Sequence, residues 1–216
     1  MNLTNSTVAE ATNGLIAAAQ FIAAKGWCPA TGGNFSQRLN DKTALMTASG
    51  RDKAALSAAD FLTVDWQGQA LGSELKPSAE TLLHTNLYQL DATIGAVLHT
   101  HSVAATVLSV MSGSGLKLHD LEMLKSLQGI TTHETEVCIP IFNNHQDMTV
   151  LARQLRQQWT KKPIAWGFLV RGHGLYSFGS TMAEARRHME GLEFLMQCEL
   201  TLRQLGHAVQ APATDR

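Results

Sequence analysis

The chain of 216 residues has little cysteine, little charge and no long apolar run. Its three cysteines, Cys28, Cys138 and Cys198, are odd in number and far apart, which indicates reduced thiols in a cytoplasmic protein rather than a disulfide framework. Charged residues make up 16% of the sequence and the net charge is −1, so no basic surface for nucleic acid or an anionic membrane is expected. The apolar runs are too short to span a membrane, and residues 1–10 lack the regions of a signal peptide.

What is present is a globular composition in which predicted helices and strands are interspersed. Hydrophobic residues make up 44% of the sequence, and the length suits one sizeable α/β domain. We find no repeat or linker, so we predict a single domain over residues 1–216, with an ordered core of about 6–206 and a frayed tail at 210–216. Apolar periodicity predicts helices and strands. The helices are expected over 6–25, from Ser78 as N-cap through Leu90, over 103–111, from 147 to about 159 and from 181 to 206; the strands are expected over 44–48, 61–66, 96–101, 137–142, 165–170 and 175–178.

Two histidines stand one residue apart at the end of a predicted buried strand. Alternate side chains of a strand share a face, so His99 and His101 can hold the same cation. A third histidine, His173, lies between two glycines in a predicted turn. Three histidines with one open position are typical of a catalytic zinc site, although iron, manganese or cobalt would suit the same ligands. The alternative is that His99 and His101 are hydrogen-bonded core histidines.

Three further stretches carry groups that can bind an anion. The turn before Asn34 has two glycines, the turn from Ser49 through Gly50 to Lys53 combines a hydroxyl with cations, and Ser78 begins a helix. Each also has an ordinary interpretation, as a loop, a solvated turn or a helix cap. None of the three is decisive alone.

Five motifs in a fixed order resemble the class II aldolase family, with its fuculose-phosphate-aldolase-like α/β/α fold. They are Thr31-Gly32-Gly33-Asn34, Thr47-Ala48-Ser49-Gly50, Pro77-Ser78-Ala79-Glu80, His99-Thr100-His101-Ser102 and Arg171-Gly172-His173-Gly174. The resemblance extends from about residue 14 to about residue 205 and implies a central, mainly antiparallel sheet flanked by helices. It also implies a homotetramer with sites near subunit boundaries and one Zn²⁺ per subunit on the three histidines. The implied phosphate pocket comprises Asn34, Ser49, Gly50, Ser78 and Ala79, with added charge from Lys53.

The resemblance implies a lyase acting on a small sugar phosphate, and two carboxylates distinguish the possible reactions. Glu122 stands where the dehydratases of the family have their general acid/base, whereas Glu80 stands where the sugar-phosphate aldolases have theirs. A metal that acidifies the carbon beside a ketone serves both reactions. A third alternative is a non-catalytic member such as the adducin head, although the three histidines and both glutamates argue against it. The remaining histidines are expected to have ordinary roles: His84, His188 and His207 at the surface or rim, and His119 as a possible neighbour that orients Glu122.

Overall fold

The computed structural model describes residues 5–206, so His207 and the predicted tail at 210–216 lie outside the described residues. Within this range the apolar periodicity produces five α-helices. They are α1 (Asn5–Ala24), α2 (Thr81–Leu90), α3 (Val103–Met111), α4 (Met148–Lys161) and α5 (Met182–Gln204).

Eight strands of the described residues form one sheet in the order β3-β2-β1-β4-β8-β7-β6-β5. Every neighbouring pair is antiparallel except β6 and β7, which confirms the mainly antiparallel sheet. The strands are β1 (Asn34–Arg38), β2 (Thr43–Thr47), β3 (Phe61–Asp65), β4 (Ala96–Thr100), β5 (Gly115–His119), β6 (Glu136–Phe142), β7 (Gly167–Val170) and β8 (Gly174–Gly179).

The sheet lies between two layers of helices, and each face has its own apolar core. Helices α1, α3 and α5 pack on the face that carries Phe35 and Leu98, while α2 and α4 pack on the face that carries Val97 and Tyr176. Successive residues of β4 therefore face opposite layers, as the geometry of a strand requires. This confirms the α/β/α fold. Within residues 5–206 no helix combines the length and apolar character needed to cross a lipid bilayer.

The start of one helix and two of the strands differ from the prediction. Helix α2 begins at Thr81 with Glu80 as its N-cap, because residues 78–80 form a turn in which the Thr81 amide donates to the Ser78 carbonyl at 3.1 Å. Strands β1 and β5 are both absent from the predicted strands. The glycine turn that leads into β1 also has an interpretation as a loop, and Gly115, the first residue of β5, is typical of a break between elements. Strand β5 pairs with β6 at the edge of the sheet.

Two histidines that were expected at the surface are buried, which is a correction to the prediction. His84 and His188 are 0% and 1% exposed. The Nδ1 of His84 lies 2.7 Å from the Ser36 hydroxyl, which is itself 2.8 Å from the Tyr88 hydroxyl. His188 lies 2.8 Å through Nδ1 from the Phe178 carbonyl. A helical pattern cannot reveal such polar partners, because they come from strands β1 and β8 and not from the helices that carry the histidines.

Candidate active site

Three histidine side chains converge at the end of β4. The Nε2 atoms of His99 and His101 are 2.9 Å apart, those of His101 and His173 are 3.0 Å apart, and those of His99 and His173 are 3.3 Å apart. A tetrahedral zinc with Zn–N bonds of about 2.0–2.1 Å separates its ligand atoms by roughly 3.3 Å. The three nitrogens therefore surround a space of the size that one metal ion requires.

The sheet topology explains why His173, more than seventy positions later in the chain, lies beside His99 and His101. Strand β8 pairs with β4 so that His99 lies opposite Tyr176, and the turn from β7 into β8 carries His173. At Gly174 an added Cβ would clash with the Thr100 carbonyl oxygen, so only glycine permits this approach. The glycine after His173 is therefore needed to bring that histidine to the end of β4.

His99 is held in the form that binds a metal through Nε2. The Nδ1 of His99 lies 2.9 Å from the Leu175 carbonyl, an acceptor, so Nδ1 carries the proton and Nε2 offers a lone pair. Burial lowers the pKa of His99 well below its ordinary value, and burial and the neighbouring His173 lower the pKa of His101. The aromatic ring of Tyr176 stacks on His99 at 3.9 Å between ring centres and holds its plane. These observations fit a divalent cation.

Glu80 completes the cluster as a fourth donor. Its Oε1 is 2.9 Å from Nε2 of His173 and its Oε2 is 3.5 Å from Nε2 of His99, while the Asn34 amide donates to Oε2. Burial raises the pKa of Glu80, but the hydrogen bond to His173 and the nearby imidazoles outweigh it, so that the pKa lies well below the usual range. Glu80 is therefore an ionised carboxylate beside the three histidines, and the four side chains together could hold a metal ion.

A cavity of about 180 Å³ opens beside this cluster and brings together all the residues expected to bind phosphate. They come from β1, from the turn after β2 and from the turn before α2, and Glu80 and His101 line the same cavity. Lys53, 2% exposed, donates to the carbonyls of Thr31 and Arg51 at 2.8 and 2.6 Å. The predicted set is Asn34, Ser49, Gly50, Lys53, Ser78 and Ala79.

Glu122 lies elsewhere on the chain's surface. It begins a short 3-10 helix, its side chain is 69% exposed, and it pairs with Lys125 at 2.6 Å and with His133 at 3.3 Å. It does not line the cavity beside the histidines. The histidine next to Glu122 is His133, and the expected His119 instead pairs with Asp120 at 2.8 Å.

Tyr176 is a site residue to which the sequence pattern alone assigns no role. It stacks on His99, and its buried hydroxyl lies near Glu80; burial and then the Glu80 charge raise the pKa of Tyr176 well above its ordinary value. Local sequence offers no signal for this role, because the stacking depends on the pairing of β8 with β4 that places Tyr176 opposite His99.

Comparisons with known proteins agree with this geometry. Residues 13–200 match the family described as Class II Aldolase and Adducin N-terminal domain. The methylthioribulose-1-phosphate dehydratase of Pectobacterium carotovorum subsp. carotovorum (strain PC1) is 58% identical over 192 residues, which is 88% of this chain and 94% of that protein. The protein of the same name from Serratia proteamaculans (strain 568) is 56% identical over 192 residues, which is again 88% of this chain and 94% of that protein.

Among solved structures, the L-fuculose-1-phosphate aldolase from Thermus thermophilus superposes with a TM-score of 0.75 at 26% identity, covering 93% of this chain and 99% of that one. YgbL from Klebsiella pneumoniae, described as a putative aldolase/epimerase/decarboxylase, has a TM-score of 0.77 at 23% identity over 90% of each chain, which supports the fold alone. The motifs, the sheet and these similarities lead to one conclusion: this chain belongs to the class II aldolase family.

Proposed function

We propose that this protein catalyses the dehydration of 5-methylthioribulose 1-phosphate to 2,3-diketo-5-methylthiopentyl 1-phosphate, a step of methionine salvage. The relatives that bear the corresponding name are 52–58% identical over 85–88% of the chain. The structural observation behind the proposal is the cluster of His99, His101, His173 and Glu80, which lies beside a cavity lined by the buried Lys53. A hydro-lyase for a ketose phosphate needs both a metal centre and a phosphate pocket.

The three histidines would hold the metal, for which we propose Zn²⁺, one per subunit. A bound divalent ion supplies Lewis acidity, which makes the proton on the carbon beside a ketone easier to remove. Support comes from the lowered pKa values of His99 and His101 and from the spacing of the three Nε2 atoms. Glu80, the fourth donor of the cluster, would face the substrate's oxygen atoms from the fourth side.

The cavity would hold the phosphate group. The hydroxyls of Ser49 and Ser78 and the backbone of Gly50 and Ala79 suit its oxygen atoms, and Lys53 supplies a positive charge inside the cavity. Arg51 is not part of this arrangement, because it pairs with Asp60 at 3.3 Å. Binding the phosphate here would place the sugar carbons toward the histidines.

Glu122 would act as the general acid/base that removes the proton from C3 and returns one to the departing C4 hydroxyl. Within a single chain this carboxylate is exposed and paired with Lys125. The proposal therefore includes a homotetramer in which Glu122 of one subunit reaches the site of its neighbour. It also includes a single domain over the whole chain and a cytoplasmic location.

The second candidate function is a class II sugar-phosphate aldolase. Its specific support is Glu80, which lies 2.9 Å from His173 where an aldolase would have its acid/base. Cleavage between C3 and C4 would use the same site and need no group from another subunit. A non-catalytic role has less support, since the three histidines and the carboxylate remain assembled.

The test is to incubate the purified, zinc-loaded protein with methylthioribulose 1-phosphate and identify the product by mass spectrometry. Dehydration yields a single phosphorylated diketone that has lost one water. Release of dihydroxyacetone phosphate from a ketose 1-phosphate would instead establish the aldolase. A chelator-treated sample serves as the control, and it should form neither product.

A further inference from the structure

A carboxyl group lies buried on the opposite side of β4 from the candidate metal centre. Glu193 of α5 is 2% exposed, and its helical neighbours Met189, Leu192 and Met196 are fully buried apolar residues. Carboxylates are seldom buried in this way unless a specific partner compensates the loss of water. An apolar residue would fill this position on α5 at lower cost, so the carboxyl calls for an explanation beyond packing.

The partner of Glu193 is Thr100, the residue between the two ligand histidines of β4. The Thr100 hydroxyl donates to Oε1 of Glu193 at 2.6 Å, and both side chains are buried. Burial raises the pKa of Glu193 to about 7. Glu193 thus accepts from the hydroxyl of Thr100, the residue directly before His101.

The position of this contact matters because β4 ends here. The pairing of β4 with β8 stops at Thr100, opposite Leu175, so His101 lies just beyond the ladder. Beyond the ladder, its amide donates to the Trp27 carbonyl at 2.8 Å. Because alternate residues of a strand face opposite sides, a bond that fixes Thr100 from behind also fixes the direction of the histidines in front.

We propose, as an inference that rests on the proposed function, that Glu193 is a positioning residue: by holding Thr100 it fixes the strand end from which His99 and His101 reach the metal. Metal ligands must keep their distances within a few tenths of an ångström, and groups that support ligands typically contribute 10- to 100-fold to affinity. Glu193 does not contact a ligand histidine. It acts through its hydrogen bond to Thr100 and through the backbone that joins Thr100 to His99 and His101. We therefore expect its loss to weaken zinc affinity by about tenfold.

The test measures zinc affinity by chelator competition on the metal-stripped full-length protein. Glu193→Leu should weaken binding by about tenfold and alter the visible absorption of bound Co²⁺, whereas Glu193→Gln, whose amide oxygen still accepts from Thr100, should stay within about threefold of wild type. The matched control is Glu190→Leu, on the same helix and half-buried, which should bind zinc like wild type.

Thermal unfolding of the metal-free variants separates positioning from general stability. Glu193→Leu leaves the buried Thr100 hydroxyl without its acceptor and should lower the melting temperature, whereas Thr100→Val with Glu193→Leu removes both partners and should leave it unchanged or higher. The double variant Thr100→Val with Glu193→Leu should bind zinc no more weakly than Glu193→Leu alone, because both changes remove the same bond. This double variant also keeps the test decisive if a single change folds poorly, since it leaves no unpaired buried group.

Zinc binding by Glu193→Leu within about threefold of wild type would overturn the inference, and so would equal losses in Glu193→Leu and Glu193→Gln. In the double variant, a loss of zinc affinity accompanied by a matching loss of stability would overturn it as well. These outcomes differ from failure of the proposed function, which would appear in the wild type itself as absence of zinc binding or of dehydration.

Discussion

Two glutamates compete for the proton transfer, and they stand in opposite surroundings. Glu80 is beside three histidines with a strongly lowered pKa, whereas Glu122 is exposed and paired with Lys125. For a dehydratase, Glu122→Gln keeps the shape of the side chain but cannot accept the C3 proton. We therefore expect turnover to fall by about 10² to 10⁴, with metal content and KM little changed.

The control for this prediction is Glu134→Gln, another exposed glutamate, which should leave turnover unchanged. Glu80→Gln should alter metal content or KM more than it alters proton transfer. Steady-state kinetics and metal analysis of the three variants separate these effects. Near-normal dehydration by Glu122→Gln would remove that residue from the mechanism and favour Glu80 as the base.

The residues that line the phosphate cavity come from β1, from the turn after β2 and from the turn before α2. A substitution in one of these turns should therefore affect substrate binding without disturbing the sheet. Ser78 lies in the turn before α2, and its hydroxyl accepts from the Glu80 amide at 3.3 Å. Ser78→Asp would place a negative charge beside the phosphate and should raise KM by at least about tenfold, the effect of roughly 1.4 kcal/mol.

Ser73→Asp is the matched control for this change, because Ser73 lies in the same connection before α2 but does not line the cavity. Its KM should equal that of wild type. Initial-rate measurements over a range of substrate concentrations check both variants. An unchanged KM in Ser78→Asp would mean that the phosphate binds elsewhere.

The exposed position of Glu122 leads to a prediction about the assembled oligomer. If each site combines the histidines of one subunit with Glu122 of another, two inactive variants should complement each other. Co-refolding equal amounts of Glu122→Gln and His101→Ala should restore about a quarter of wild-type activity, because about a quarter of the sites would pair an intact cluster with an intact glutamate.

Activity measured before and after mixing checks this prediction. Mixing the Glu122→Gln variant with a His101→Ala/Glu122→Gln double variant is the control and should restore nothing. The same absence of rescue in the first mixture, with subunit exchange verified by mass spectrometry, would mean that each site is built from one chain.

Much of the site could be predicted from local sequence, because local geometry creates it. The spacing of His99 and His101 puts both on one face of a strand, and the glycines around His173 indicate a tight turn. The turn residues that were expected to bind phosphate line one cavity. The start of α2 was less predictable: the Ser78 carbonyl accepts from the Thr81 amide in a turn, and helix capping rules alone do not reveal that the helix begins later.

The sequence by itself determined which residues can bind a metal or a phosphate, because side-chain chemistry and strand or turn periodicity are local properties. Only the tertiary structure decided their neighbours. The insertion of β8 between β4 and β7 brings His173 to His99 and covers His99 with Tyr176. The same packing buries Glu193 behind Thr100 and leaves Glu122 outside the cavity. Such contacts join residues far apart in the chain, and their free energy depends on the order of strands in the sheet, which no local pattern encodes.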